Sequence, residues 1–166
     1  MTFIGLDPGL DGGIAFIRDD GNASAEVMPT LAAKKGRELD EKGVLEAVEY
    51  WQHESVFAVI EAQHPMPKQG TVSTFSLGKV FGALRMALAA CGIPYQVVPA
   101  QTWQKAVGIS GKLGDTKRQS VAVAQRLFPD VDLRATPRCR KAHDGLADAL
   151  LIAEYARRLR AGQQAA

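Results

Sequence analysis

Residues 3–15 read FIGLDPGLDGGIA, an apolar run that ends in Asp7 and gives way to a Pro-Gly and a Gly-Gly pair. Alternation and chain breakers divide the stretch into a strand at Phe3–Leu6 and a second at Gly13–Arg18. Pro and Gly between them permit a tight reversal. The pair therefore reads as a β-hairpin with a slightly long loop, and Asp7 stands at the end of its first strand. A carboxylate there either bonds its own turn or is one of several aimed at one point. The rest of the chain decides between the two.

Outward from the hairpin, a third strand is predicted at about Ala23–Met28, then a loop over Pro29–Gly36. Residues Asp40–Glu54 read as an amphipathic helix with Val44, Leu45, Val48 and Trp51 on one face. A fourth strand, Ser55–Glu61, again ends in a carboxylate, and a polar, Pro-rich loop follows. Ser73–Ala90 is a long helix with an apolar stripe from Leu77 to Leu88, and Gly78 and Gly82 lie one turn apart on it. A fifth strand (Pro94–Val98), a short helix holding Trp103, a helix at Lys117–Leu127, a basic loop to Lys141 and a last helix over about His143–Arg160 complete the order. Hairpin strands followed by strands alternating with helices predict one α/β domain over residues 1–166. Its five-stranded mixed sheet would have the first three strands antiparallel and the last two parallel, flanked by helices.

The net charge of +2 hides a division along the chain. Residues 1–61 carry 5 basic and 12 acidic side chains, whereas residues 62–111 carry 4 and 0, and residues 112–141 carry 8 and 3. Basic side chains confined to particular loops suit a polyanionic partner. No apolar run approaches the roughly 18 residues of a membrane span, and the N-terminus reads as a strand rather than a signal segment. Cys91 and Cys139 have no metal-type spacing, so a reducing cytoplasm is the expected setting.

The last helix contains HDGLADALLIAEYA, in which Asp144 and Asp148 are four residues apart and share one face. Like charges at that spacing repel. Asp144 suits a helix N-terminus, but Asp148 lies among Ala147, Ala149, Leu150 and Leu151. If this helix crosses the ends of the strands that carry Asp7 and Glu61, four acidic groups face one small volume. Without a cation, such a cluster costs several kcal/mol. Oxygen-only ligands suit Mg²⁺ or Mn²⁺. Two such ions about 4 Å apart activate water and stabilise the leaving oxygen in phosphodiester hydrolysis.

DPG after the first strand, VIE at the fourth and HDGLADALLIA on the last helix together resemble the RuvC-type Holliday-junction resolvases of the ribonuclease H-like superfamily. The segments PMPKQGTVSTFSLGKVFGALR and VVPAQTWQKAVG resemble the phage-type branch, and the likeness runs over nearly the whole chain. The resemblance implies a homodimeric, Mg²⁺-dependent endonuclease that cuts opposing strands of four-way DNA junctions with two metal ions per site. It implies that Asp7, Glu61, Asp144 and Asp148 hold the metal. Many bacterial members place the third ligand where this chain has Gly145, so either Asp144 or His143 fills that role.

Lys117 matches a lysine that the family uses near the scissile phosphate. His64 and Met66 occupy the loop whose side chain enters the junction centre in family members. Lys68, Gln69, Lys105, Lys112, Arg118, Arg138, Arg140 and Lys141 are the remaining expected DNA contacts, with Arg134 beside them. Trp103 is read as core, and Arg157, Arg158 and Arg160 as a solvated helix end. A less selective branched-DNA or flap endonuclease and a junction-binding protein without catalysis remain the alternatives. An ATP-binding module of the actin or sugar-kinase type needs two such lobes and a longer chain.

Overall fold

The computed structural model describes residues 1–65 and 70–164. Its strands are β1 (Thr2–Asp7), β2 (Gly13–Arg18), β3 (Ala23–Val27), β4 (Thr30–Ala32), β5 (Arg37–Leu39), β6 (Val56–Glu61) and β7 (Tyr95–Val98). Its helices are α1 (Glu41–Glu49), α2 (Thr71–Ala90), α3 (Ala100–Ala106), α4 (Thr116–Leu127) and α5 (Asp144–Gln164).

β1 and β6 are buried on both faces for their first five residues, as expected where helices cover both sides of a sheet. The main sheet has the order β3-β2-β1-β6-β7. The hairpin strands pair antiparallel as expected, and β6 pairs parallel with β7. β1 also pairs parallel with β6 at the sheet centre. Of the five strands, β2 alone therefore runs against the rest.

Strand alternation sorts the side chains between two cores. Ile4, Leu6, Ala58 and Ile60 pack with Val44, Val48, Val80, Leu84 and Leu88, the apolar stripes of α1 and α2. Phe3, Phe57 and Val59 pack on the other face against α5, with Trp103 of α3 and Ala124 of α4. Gly5 belongs to this second face, where a Cβ would overlap the backbone of Ala149 and Ala153. The missing side chain lets α5 lie directly on β1.

Two expectations change. The segment Pro29–Gly36, expected to be a loop, begins a second sheet in which β4 pairs antiparallel with β5. Met28 and Leu39, both buried, anchor its two ends in the core, and the Asp40 amide donates to the Pro29 carbonyl at 3.0 Å. The exposed residues between those anchors have no apolar periodicity to announce them. Secondly, α1 stops at Glu49 rather than Glu54. Beyond it, i→i+3 turns bring Trp51 onto Phe16, ring centroids 5.3 Å apart, with the Arg18 guanidinium 5.4 Å from the indole.

Candidate active site

The alternation that builds the core also aims the carboxylates. Asp7 follows Phe3 and Gly5 on the α5 face, and Glu61 follows Phe57 and Val59 on the same face. Leu6 is in register with Ile60, so Asp7 and Glu61 stand side by side where two parallel strands end. α5 begins at Asp144 over these ends because Gly145 has no side chain. A Cβ there would overlap the Asp11 carbonyl oxygen. Gly12 is equally tight against the Asp7 carbonyl. The glycines of the opening turn thus serve backbone packing under α5 as well as access.

The result is a cleft of about 1030 Å³ whose lining includes Asp7, Asp11, Ser76, Lys117, His143, Asp144 and Asp148. Burial pushes the Asp7 carboxyl well above the usual carboxylate range, and the charges of Glu61, Asp148 and Asp144 push it further. Burial likewise raises Asp148, to about 6, with Glu61 and Asp144 adding to the effect. Ser120 of α4 favours the ionised Asp148 but closes no well-formed hydrogen bond, so Asp148 Oδ1 is a buried oxygen without a partner among the described residues. Asp144 behaves oppositely. It is half-exposed and ion-paired with Lys117, which holds its carboxyl below the ordinary value, while Asp144 raises the lysine.

Glu61 does not line the cleft. Its Oε2 accepts from Trp103 Nε1 at 2.8 Å and its Oε1 from Gln63 Nε2 at 3.1 Å. Burial raises its carboxyl while both hydrogen bonds oppose the rise. Among the described residues, no three His, Cys, Asp or Glu side chains close on one point as a ready-made metal cage. Two of the four carboxylates are instead held by protein donors. The donor set still fits a hard cation, because it is all oxygen and includes the orphaned Asp148 Oδ1.

His143, the other candidate third ligand, lines the cleft and has a buried Nδ1 without a partner among the described residues. Lys117 is placed by its helix start, where the Asp115 side chain accepts from the Lys117 amide at 3.0 Å. Gln119 fastens the preceding loop through Ser110 and the Gly114 carbonyl.

No protein-family model matches the chain, and no curated protein sequence matches it. Solved structures do. RuvC of T. thermophilus in complex with a Holliday junction substrate superposes with a TM-score of 0.58 at 20% identity, over 96% of each chain. A second Thermus thermophilus RuvC structure gives 0.56 at 17%, covering 96% of this chain and 97% of that one. The chain has the RuvC fold. The yeast mitochondrial Holliday junction resolvase agrees, with a TM-score of 0.55 at 14% identity over 98% of this chain and 80% of that one. The RuvC fold is ribonuclease H-like, the class expected from the three acidic motifs.

Around the RuvC-fold cleft, the expected DNA contacts are scattered. Lys141 and Arg118 flank Lys117 and Asp144 in an adjoining groove. His64, Lys105, Lys112, Arg138 and Arg140 are exposed, and none of them lines the cleft. Met66, Lys68 and Gln69 lie outside the described residues. Arg134, exposed like Arg138 and Arg140, is also ion-paired with Asp132 and hydrogen-bonded to the Pro137 carbonyl. Arg157 and Arg158 remain exposed, as read, while ion-pairing with the buried Glu154; Arg160 departs from the reading, its guanidinium lying over the Phe57 ring at 4.4 Å. Trp103 is fully buried, as read, but it also reaches the site. Residue spacing gave no signal for that reach, for Gln63 or for Ser120.

Proposed function

We propose that this chain is a single nuclease domain, residues 1–166, which hydrolyses phosphodiester bonds at four-way DNA junctions. What supports the reading is one cleft lined by Asp7, Asp144 and Asp148, with Glu61 close enough behind it to raise the Asp7 carboxyl. The neighbours' fold and the junction-bound RuvC support the substrate class. Asp7 and Asp148 would hold a divalent ion, Mg²⁺ or Mn²⁺, with Glu61 completing the set and Asp144 or His143 serving as the third ligand. The chemistry supplied by two such ions is activation of a water and stabilisation of the departing oxygen.

The chain's own part is positional and electrostatic. Asp7 and Asp148 present carboxylates that burial makes costly to ionise alone, so a cation is favoured there. Lys117 keeps Asp144 ionised and carries a charge at the cleft able to meet a scissile phosphate. Lys141 and Arg118 lie where a DNA backbone would leave the cleft.

A homodimer supplies the paired incisions. The exposed stripe of Val72, Phe75 and Met86 on α2, with open space at Gly78 and Gly82, is the surface that fits a second copy. Among the described residues no helix is long and apolar enough to cross a membrane, and the two unpaired cysteines suit a cytoplasmic setting.

The test is cleavage of four-way, three-way, flap and linear duplex DNA side by side, in Mg²⁺ or Mn²⁺ and in EDTA. Asp7→Asn and Glu61→Gln, each folded by circular dichroism, should lose at least about a hundredfold in rate, about 2.7 kcal/mol. Full-rate cutting in EDTA would sink the metal reading. Equal cutting of flaps and four-way junctions would favour the less selective endonuclease, and binding without cutting would leave a junction-binding protein.

A further inference from the structure

Glu61 and Trp103 are 42 residues apart in the chain, and the topology explains their meeting. Glu61 ends β6 in register with Val98 at the end of β7, and the Ala62 amide donates to the Val98 carbonyl at 2.8 Å. Pro99 then caps α3 directly, so Trp103, one turn into the helix, is carried back over the strand ends. Its indole is fully buried among Val98, Val107 and Leu150, leaving it no freedom to reorient. The N–H of that indole points to Glu61 Oε2 at 2.8 Å.

We infer that Trp103 is a positioning residue for the metal-binding carboxylate Glu61, its indole N–H fixing the rotation of the carboxylate for a divalent cation. A buried indole N–H needs an acceptor, and among the described residues the one Trp103 finds is a carboxylate of the site. An indole N–H donates only, so it cannot displace a cation as a ligand. It occupies one lone pair of Oε2 and, with Gln63 on Oε1, leaves the remaining lone pairs in one defined plane. Partners of this outer kind are commonly worth about 10–100-fold in metal affinity or activity.

The inference rests on the nuclease reading, and the experiment separates the two. Mn²⁺ binding is measured by calorimetry without DNA for the wild type, Trp103→Phe, Glu61→Gln and the double variant. Trp103→Phe should weaken Mn²⁺ about tenfold, and should weaken it no further in the Glu61→Gln background. Junction affinity in EDTA should stay within about twofold of wild type. If the phenylalanine leaves too large a void to fold, benzothienylalanine at position 103 in a Trp51→Phe chain replaces the N–H by sulfur at nearly constant volume. Wild-type Mn²⁺ affinity in either folded variant, or the same loss with and without Glu61, would overturn the role. A wild type that binds Mn²⁺ with this coupling but cuts no branched DNA would instead defeat the nuclease reading and leave the positioning role standing.

Discussion

Lys117 on α4 donates its ammonium to Asp144 Oδ2 on α5, joining two helices across the cleft that holds Asp7 and Asp148. The lysine is itself largely exposed, so the contact is held by the geometry of two helix starts rather than by burial. A cation and a carboxylate in this relation keep each other charged.

That placement predicts a rate effect at Lys117. A charge that meets negative charge developing on the phosphate lowers the barrier more than it tightens binding. Lys117→Ala should reduce single-turnover cleavage at least about tenfold, about 1.4 kcal/mol, with junction affinity changed much less. Arg138→Ala and Arg140→Ala should show the reverse, losing about one unit of salt slope each. Wild-type cleavage by Lys117→Ala at saturating junction would make it an ordinary surface lysine.

Metal-free stability should fall as pH rises between 5 and 8. Asp148 titrates at about 6 in the folded chain against an ordinary 3.8, so the folded state holds a proton that the unfolded state has released. The stabilising proton is fully present below the ordinary value and lost as pH passes the folded one. The whole loss, from below 3.8 to above about 6, is at most about 3 kcal/mol, of which about 1.4 kcal/mol falls above pH 5. Asp7, raised chiefly by burial, acts with the same sign. Asp144, held low by Lys117, acts below this window. In EDTA the melting temperature should therefore be lower at pH 8 than at pH 5, and Asp148→Asn should remove much of the difference. Mn²⁺ at pH 8 should restore the wild type and not the variant. A wild-type melting temperature that rises over this range in EDTA would contradict the assignment.

Glycines that look alike should behave differently. At Gly5 a Cβ would overlap the backbone of α5, whereas at Gly82 none of the described residues lies within 4 Å. Gly5→Ala must push α5 away from β1 and should cost about 1–3 kcal/mol or more. Gly82→Ala, on an open helix face, should gain up to about 1 kcal/mol in the isolated monomer. Urea unfolding at low protein concentration distinguishes them, and equal effects would refute the close approach of α5.

The same face of α2 carries the exposed Phe75. Phe75 is 71% exposed and should be covered in a dimer, so Phe75→Glu and Gly82→Glu should each shift sedimentation from dimer to monomer. Paired incision should be lost while single nicks persist. Wild-type sedimentation as monomer only, at micromolar concentration with and without junction DNA, would remove this surface from consideration.

By itself the sequence determined the five strands of the main sheet, the order of the helices and the carboxylates at their ends. Alternation in FIGLD and VFAVIE and the four-residue spacing of Asp144 and Asp148 are local signals, and local signals survive without knowledge of the partner. Their combination sufficed for the fold class and for the resemblance. Tertiary structure decided the rest. The short β4–β5 pair exists because Met28 and Leu39 are anchored on either side of it, a constraint invisible in the exposed residues between them. The grip of Trp103 on Glu61 and of Lys117 on Asp144 depends on which helix follows which strand end, over separations of 42 and 27 residues. Periodicity tells which face a side chain takes on its own element. Only packing tells what stands opposite it.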